Sequence, residues 1–421
     1  MVFSQEYALQ ADAADELNRF RSQFLFPQHG GREVVYFTGN SLGLQPATTK
    51  EYILRELEDW HTHGVEGHFN ARNPWLSYHE MFAKPLAELT GAKEKEVVAM
   101  GSLTNNLHLL LVSFYRPTKE RYRIICEKKA FPSDTYALQS QARFHGFDYH
   151  DAVIEIAPRE GEYLINEEDI LSTIEKYKDS VAVVMIGGVN YFTGQVFDMQ
   201  KITDAAHEAG AFCGWDLAHG IGNIELKLHD WNVDFAAWCT YKYLNSGPGS
   251  VAGLFVHEKH VGQSDIPRFE GWWGTNPATR FLMGDTFDAM DSAGAWQLSN
   301  APVLSMAAHK ASLDLFTEAG FGKLRSKSRK LTAYLEFVVN EIKKEKGAHT
   351  IEIITPTDEE YRGAQLSLIF PGKGKELFNA LTENGVISDW REPNVVRVAP
   401  VPLYNSFGDV YRFGEVLKRV L

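Results

Sequence analysis

Two short apolar runs in the middle of the chain each end in a charge, and nothing else in the sequence restricts the fold as much. Phe212, Cys213 and Trp215 lead to Asp216, and Phe235, Ala236, Ala237, Trp238 and Cys239 lead to Lys242. Runs this short and this apolar suit strands buried on both faces. Each would deliver its charge to a strand end, the place where open α/β sheets bind ligands. The same stretch, residues 214 to 250, holds His219 three positions after Asp216. It closes with Ser246-Gly-Pro-Gly, which lets the backbone pass close to a bulky group.

The flanking sequence repeats the strand-then-helix pattern. Apolar strands are expected at Val97–Met100, Ile124–Cys126, Val181–Ile186 and Leu254–Val256. Helical patterns are expected at 105–114, up to Phe144, from Asn166 to about Lys178, and at 199–209. This alternation from about 95 to 260 predicts a mostly parallel sheet covered by helices. From about residue 305 the character changes to amphipathic helices at 305–318 and 322–345, then short strands at 351–354, 365–370 and 395–398. The expected division is an N-terminal arm (1–50), a large α/β domain (51–304) and a smaller C-terminal α/β domain (305–421). Within the arm, residues 10–26 read as a helix that stops at Pro27. Residues 48–61 read as an amphipathic helix.

A site that buries both an acid and a lysine suits pyridoxal phosphate (PLP). Its aldehyde condenses with a lysine, and a carboxylate keeps its ring nitrogen protonated. The other candidates are individually ambiguous. Leu103 and Thr104 stand where a helix N-terminus could hold a phosphate, or Thr104 could simply cap the helix. Phe131, in Phe131-Pro132-Ser133-Asp134, could stack on a flat ring or pack in the core, and Ser133 is a plausible cap. Ser41 lies in a turn-rich loop and His68 in an irregular one, so each could be an ordinary surface residue. Trp272 sits in a Gly-Trp-Trp-Gly loop that could pack an interface, and Asn300 could cap a helix or reach a ligand. Arg397 in Val-Val-Arg-Val-Ala needs an anion, either a substrate carboxylate or a structural salt bridge.

Composition excludes several classes. A net charge of -13 argues against nucleic-acid and anionic-membrane partners. Cys126, Cys213 and Cys239 sit in or beside apolar runs without CxxC spacing, so reduced buried thiols are expected and no metal site. No 18-residue apolar run and no basic-then-apolar leader is present, so a cytoplasmic protein is expected. No GxGxxG follows a strand, which disfavours a dinucleotide fold.

In order, GNSLGLQP (39–46), FPSD (131–134), WDLAHGIGN (215–223), YKYLN (241–245), GWWG (271–274), LSN (298–300) and RVAPVPLYNSF (397–407) resemble the kynureninase family, in its animal-type form. The resemblance runs from about residue 34 to the end. It implies the aspartate-aminotransferase-like fold type I of PLP enzymes, and a homodimer whose subunits share active sites. It implies hydrolytic Cβ–Cγ cleavage of L-kynurenine or 3-hydroxy-L-kynurenine in tryptophan degradation, with the 3-hydroxy substrate favoured through His68 and Asn300. By the same resemblance Lys242, Tyr241 and Asp216 are catalytic. Leu103, Thr104, Phe131, Pro132, Ser133, Asp134, His219, Trp272 and Asn300 join them around the cofactor. Ser41, His68, Asn300 and Arg397 contact the substrate. One departure is visible: Gly187 stands where the resemblance implies serine. The alternatives are a cysteine desulfurase, an aminotransferase or a silent PLP-binding protein.

Overall fold

A computed structural model describes residues 1–263 and 265–421. Its centre is a seven-stranded sheet of β1 (Val97–Ala99), β2 (Arg123–Glu127), β3 (Val153–Ile156), β4 (Val181–Gly187), β5 (Phe212–Asp216), β6 (Phe235–Trp238) and β7 (Gly253–Val256). The spatial order is β1-β7-β6-β5-β4-β2-β3. All pairs are parallel except those of β7, which runs antiparallel to both of its neighbours. β4 and β6 are buried along their whole length, as expected of strands covered on both faces. The alternating pattern in the sequence therefore gives the α/β architecture it predicts.

The smaller sheet is antiparallel and joins β8 (Glu352–Ile353), β9 (Leu366–Ile369), β10 (Asp389–Arg391) and β11 (Val395–Val398) in the order β8-β9-β11-β10. The long helix Phe321–Lys346 and the last helix, Phe407–Val420, pack on it through Leu331, Leu335, Val338, Val410 and Phe413.

Residues 1–50, read as an arm, do not stand apart. Val35–Tyr36 pairs in parallel with Val386–Ile387, and Ala8, Val35 and Phe37 are buried in the small sheet's core. Asp12 caps the last helix, accepting from the Phe407 and Gly408 amides at 2.7 and 2.9 Å. The helix expected over 10–26 lies instead at Gln5–Ala13, followed by a 3-10 turn at Asn18–Gln23. The Asp15 side chain accepts from the Leu17 amide at 3.0 Å, a local bond that competes with helix continuation. Among the described residues no helix is long and apolar enough to cross a membrane.

Candidate active site

β5 ends at Asp216, and the chain after β6 continues to Lys242. Neighbouring parallel strands thus deliver both residues to one cavity of about 230 Å³. Lys242 Nζ lies 3.0 Å from Nε2 of His219 and 5.7 Å from the centre of the Phe131 ring. Burial, then the charge of Lys242, then Arg397 and Arg391 hold His219 well below the usual histidine range. The imidazole is therefore neutral beside the amine, and its buried Nδ1 has no partner. Asp216 is fixed by the Ala218 amide, which donates to Oδ1 at 2.7 Å. The turn that carries Lys242 is closed by Ser246, whose Oγ donates to the Thr240 carbonyl at 2.9 Å and meets His309 Nδ1 at 2.7 Å.

The rest of the wall comes from strand-to-helix turns. Ser102 takes the cap position of helix Leu103–Phe114 without a side-chain capping bond. The first-turn amides, which no helix satisfies internally, stay open beside the Leu103 and Thr104 wall. Helix Pro132–Phe144 is capped by Phe131 rather than Ser133, because Pro132 takes the first helical position and needs no acceptor there. The Phe131 ring meets Tyr191 edge-on at 5.3 Å. Burial, then the charge of Asp216, raises the Asp134 carboxyl far above the usual carboxylate range. Burial likewise pushes Tyr241 up.

Leu103, Thr104, Phe131, Ser133, Asp134, Asp216, His219, Tyr241 and Lys242 thus share one cavity wall. Pro132, Ser41, His68, Trp272, Asn300 and Arg397 do not line it. Trp272 and Asn300 are exposed and His68 is half-buried, with its Nδ1 2.9 Å from the Val65 carbonyl. Ser41 is half-buried in the turn at Thr38. Arg397 is 0% exposed, one layer behind the wall. Its Nη1 donates to the carbonyl of Tyr191, a wall residue, at 2.6 Å. Its Nη2 lies 2.9 Å from Asp389, so the salt bridge read from sequence as one possibility is present.

Sequence reasoning missed two features of the site, one in its wall and one behind it. β2 also ends in an acid, Glu127, whose two oxygens accept from the Gly187 amide at 3.1 and 3.3 Å. Burial raises this carboxyl to about 7. A Cβ on Gly187 would stand 3.0 Å from Glu127 Oε1, so a serine there would press on the carboxylate. An apolar run ending in a charge announces Glu127 just as it announces Asp216, but Lys128 and Lys129 disguise it as a solvated end. The second feature is Gly43, whose amide donates to the Tyr241 carbonyl at 2.8 Å. A Cβ there would lie 2.5 Å from the Lys242 carbonyl oxygen and 2.1 Å from Asn245 Oδ1, so only glycine allows this approach.

Outside the cavity, Glu96, His229 and His257 bring ligand atoms within 4.8 Å of one another. Those atoms are already engaged. Glu96 accepts from the Lys93 and Glu258 amides at 2.8 Å and meets His229, and the Lys259 amide donates to His257 Nδ1.

Residues 324–417 match the family model described as the kynureninase C-terminal domain. The kynureninase of Flavobacterium psychrophilum is 57% identical over 421 residues, covering 100% of this chain and 99% of that one. The chain belongs to the kynureninase family. The Nematostella vectensis kynureninase is 48% identical, covering 99% of this chain and 94% of that one. Overall identity therefore does not follow the animal-type pattern of the motifs. Among solved structures, the Escherichia coli cysteine desulfurase CsdA superposes with a TM-score of 0.76 at 18% identity, covering 96% of this chain and 98% of that one. A C-DES variant with glycine covalently linked to its PLP cofactor gives 0.77 at 15% identity, covering 95% and 98%. These two likenesses establish the fold, which kynureninases share with cysteine desulfurases.

Three features of this cavity suit PLP. An amine and a strand-end carboxylate share one wall, open helix amides flank a hydroxyl, and a buried imidazole nitrogen lacks a partner.

Proposed function

We propose that this member of the kynureninase family is a PLP-dependent hydrolase that cleaves the Cβ–Cγ bond of L-kynurenine or 3-hydroxy-L-kynurenine. The products are L-alanine and anthranilate or 3-hydroxyanthranilate. One observation carries the reading: Lys242, 3.0 Å from a neutral His219, shares its cavity with the strand-end acid Asp216.

When bound, the cofactor supplies an electron sink for the substrate's Cα and Cβ. Lys242 would hold it covalently and, once displaced by substrate, would move the Cα proton. Asp216 would face the ring nitrogen and His219 the phenolic oxygen. The Leu103 and Thr104 amides, with the Thr104 hydroxyl, would take the phosphate, and Phe131 would cover the ring. Pro132, Ser133 and Asp134 would border its edge. Tyr241 would bind phosphate and relay protons. Arg397 would take the α-carboxylate. Its Nε and Nη2 are buried without a well-aligned acceptor, so the guanidinium retains donors for an anion.

A homodimer with shared sites accounts for the exposed candidates. Trp272 is an exposed large apolar residue, and so are Leu298, near Asn300 in sequence, and Trp60 and Phe69, near His68. A second subunit that covers such a face would bring Trp272, His68 and Asn300 to its partner's cavity, with Ser41 completing the aryl pocket. The desulfurase reading loses support, because that chemistry needs an accessible nucleophilic thiol and Cys126, Cys213 and Cys239 are all buried.

The test is chromatography of products from PLP-loaded protein with both substrates side by side. Alanine with the matching aryl acid is expected. A keto acid in place of alanine would establish an aminotransferase, and colour without product a silent binder.

A further inference from the structure

Asp389 is the carboxylate that Arg397 touches. The two residues are direct partners across the antiparallel pair β10–β11, so their side chains leave the same face of the small sheet. Asp389 Oδ2 lies 2.9 Å from Arg397 Nη2. The same carboxylate meets a second guanidinium, with Oδ1 3.1 Å from Arg391 Nε and Oδ2 accepting from Arg391 Nη2 at 3.2 Å. Two positive groups share one negative group, so the cluster carries an excess positive charge, with Arg391 about a third exposed and Arg397 on its buried side. Arg397 is wholly buried, and a buried guanidinium in this state strongly attracts a further anion. Burial and then Arg391 act against its charge, while Asp389 supports it.

The remaining contact fixes direction. Arg397 Nη1 donates to the Tyr191 carbonyl at 2.6 Å, and the Tyr191 ring packs against Phe131 at the cavity wall. The guanidinium is thus held from two sides, by a backbone oxygen of the large lobe and by Asp389 of the small sheet. Its Nε is left without a partner.

We propose that Asp389 is a positioning residue for the amino-acid end of the substrate: through an ion pair shared with Arg391, it holds the Arg397 guanidinium in the pose that receives the α-carboxylate. This rests on the reading that Arg397 binds that carboxylate. Preorganisation of this kind acts on substrate binding, whereas Asp389 touches neither the cofactor wall nor the reacting carbons. A purely electrostatic role would act with the opposite sign. Removing the negative charge would make the cluster more positive and tighten carboxylate binding, and removing Arg391 would weaken it.

The experiment uses PLP-loaded full-length protein. It measures steady-state kinetics with L-kynurenine and, separately, binding of L-alanine by the change in cofactor absorbance. Asp389→Asn is expected to raise KM and the alanine dissociation constant at least about tenfold while kcat changes much less, because a misplaced clamp weakens engagement. Asp389→Glu keeps the charge and protects the fold, and should raise both constants by a smaller factor. Arg391→Gln leaves Asp389 wholly to Arg397, so both constants should stay within about threefold of the parent, less than the tenfold that 1.4 kcal/mol represents. Unchanged or tighter alanine binding in folded Asp389→Asn and Asp389→Glu, or a KM rise in Arg391→Gln equal to that of Asp389→Asn, would overturn the proposal. Arg397→Gln is run in parallel. If it leaves alanine binding intact, the reading of Arg397 fails; if it weakens binding while both Asp389 variants do not, only the role of Asp389 fails.

Discussion

The large sheet carries Asp216 on the last residue of a parallel strand, and the small sheet carries Arg397 inside an antiparallel one. Both charges are buried, but they are stabilised differently. Asp216 is the last residue of the ladder, and a backbone amide from the turn that follows reaches its side chain at 2.7 Å. Its carboxylate lines the cavity beside that of Asp134. Arg397 sits within the ladder, where the backbone is paired and cannot help. It depends on groups from outside its own strand: the Asp389 side chain on the adjacent strand and the Tyr191 carbonyl of the large lobe. A charge at a strand end is therefore set by local chain geometry. A charge inside a strand is set by register, and its readiness for substrate is only as good as its partner.

The strongest challenge to this contrast is Lys242→Ala. It should lower product release by at least about 10³-fold, within the range general acid–base removal gives, and abolish the covalent cofactor colour. If activity persisted, the large-sheet site would not be the site of chemistry. The next separates the two sheets with the same change. Asp216→Asn should lower kcat by about 10²-fold or more with little change in KM, since it touches the electron sink rather than the carboxylate clamp. Asp389→Asn should do the reverse. Equal kcat and KM effects in both variants would erase the distinction.

A third measurement concerns Glu127, the other strand-end acid. Its carboxyl rises from 4.5 to about 7 on folding. The folded protein then binds the proton more tightly than the unfolded chain, so this group's contribution is complete below about 4.5 and is lost as pH rises towards 7. Glu127→Gln should remove that slope. Its melting temperature relative to the parent should climb from pH 5 to pH 8, reflecting about 3 kcal/mol at most. Parallel melting curves across that range would show that the acid is not held protonated. The smallest expected effect is Gly43→Ala, where a Cβ would collide with the Lys242 turn. It should cost about 1–3 kcal/mol in urea denaturation and weaken PLP retention, because the strain falls on the residue that binds it. Unchanged PLP retention would mean that the turn relaxes away from the lysine.

The same contrast explains what could be read from the chain. Asp216 and Lys242 stand out because local pattern places them: an apolar strand, then a charge. Arg397 stands out as an anomaly within Val395–Val398, but its partner is invisible, since nothing in one strand states which residue lies opposite. The helix pattern over 10–26 misleads because Asp15 bonds its own backbone, a choice that periodicity does not register. Thr104 and Asp134 follow from strand-to-helix turns and do line the cavity, while Trp272 and Asn300 do not in a single chain. Their motifs come from a resemblance, and positions completed by a second subunit leave no trace in one chain's folding pattern.

The turn from Phe37 to Gly43 is anchored at both ends. The Phe37 amide is bound to the Ile387 carbonyl of the small lobe at 2.9 Å, and the Gly43 amide to the Tyr241 carbonyl at 2.8 Å. A tether this short has almost no slack. Rotation of the small lobe would therefore either pivot close to this segment or pull directly on the residue preceding the lysine, so lobe position and amine position form one mechanical coordinate.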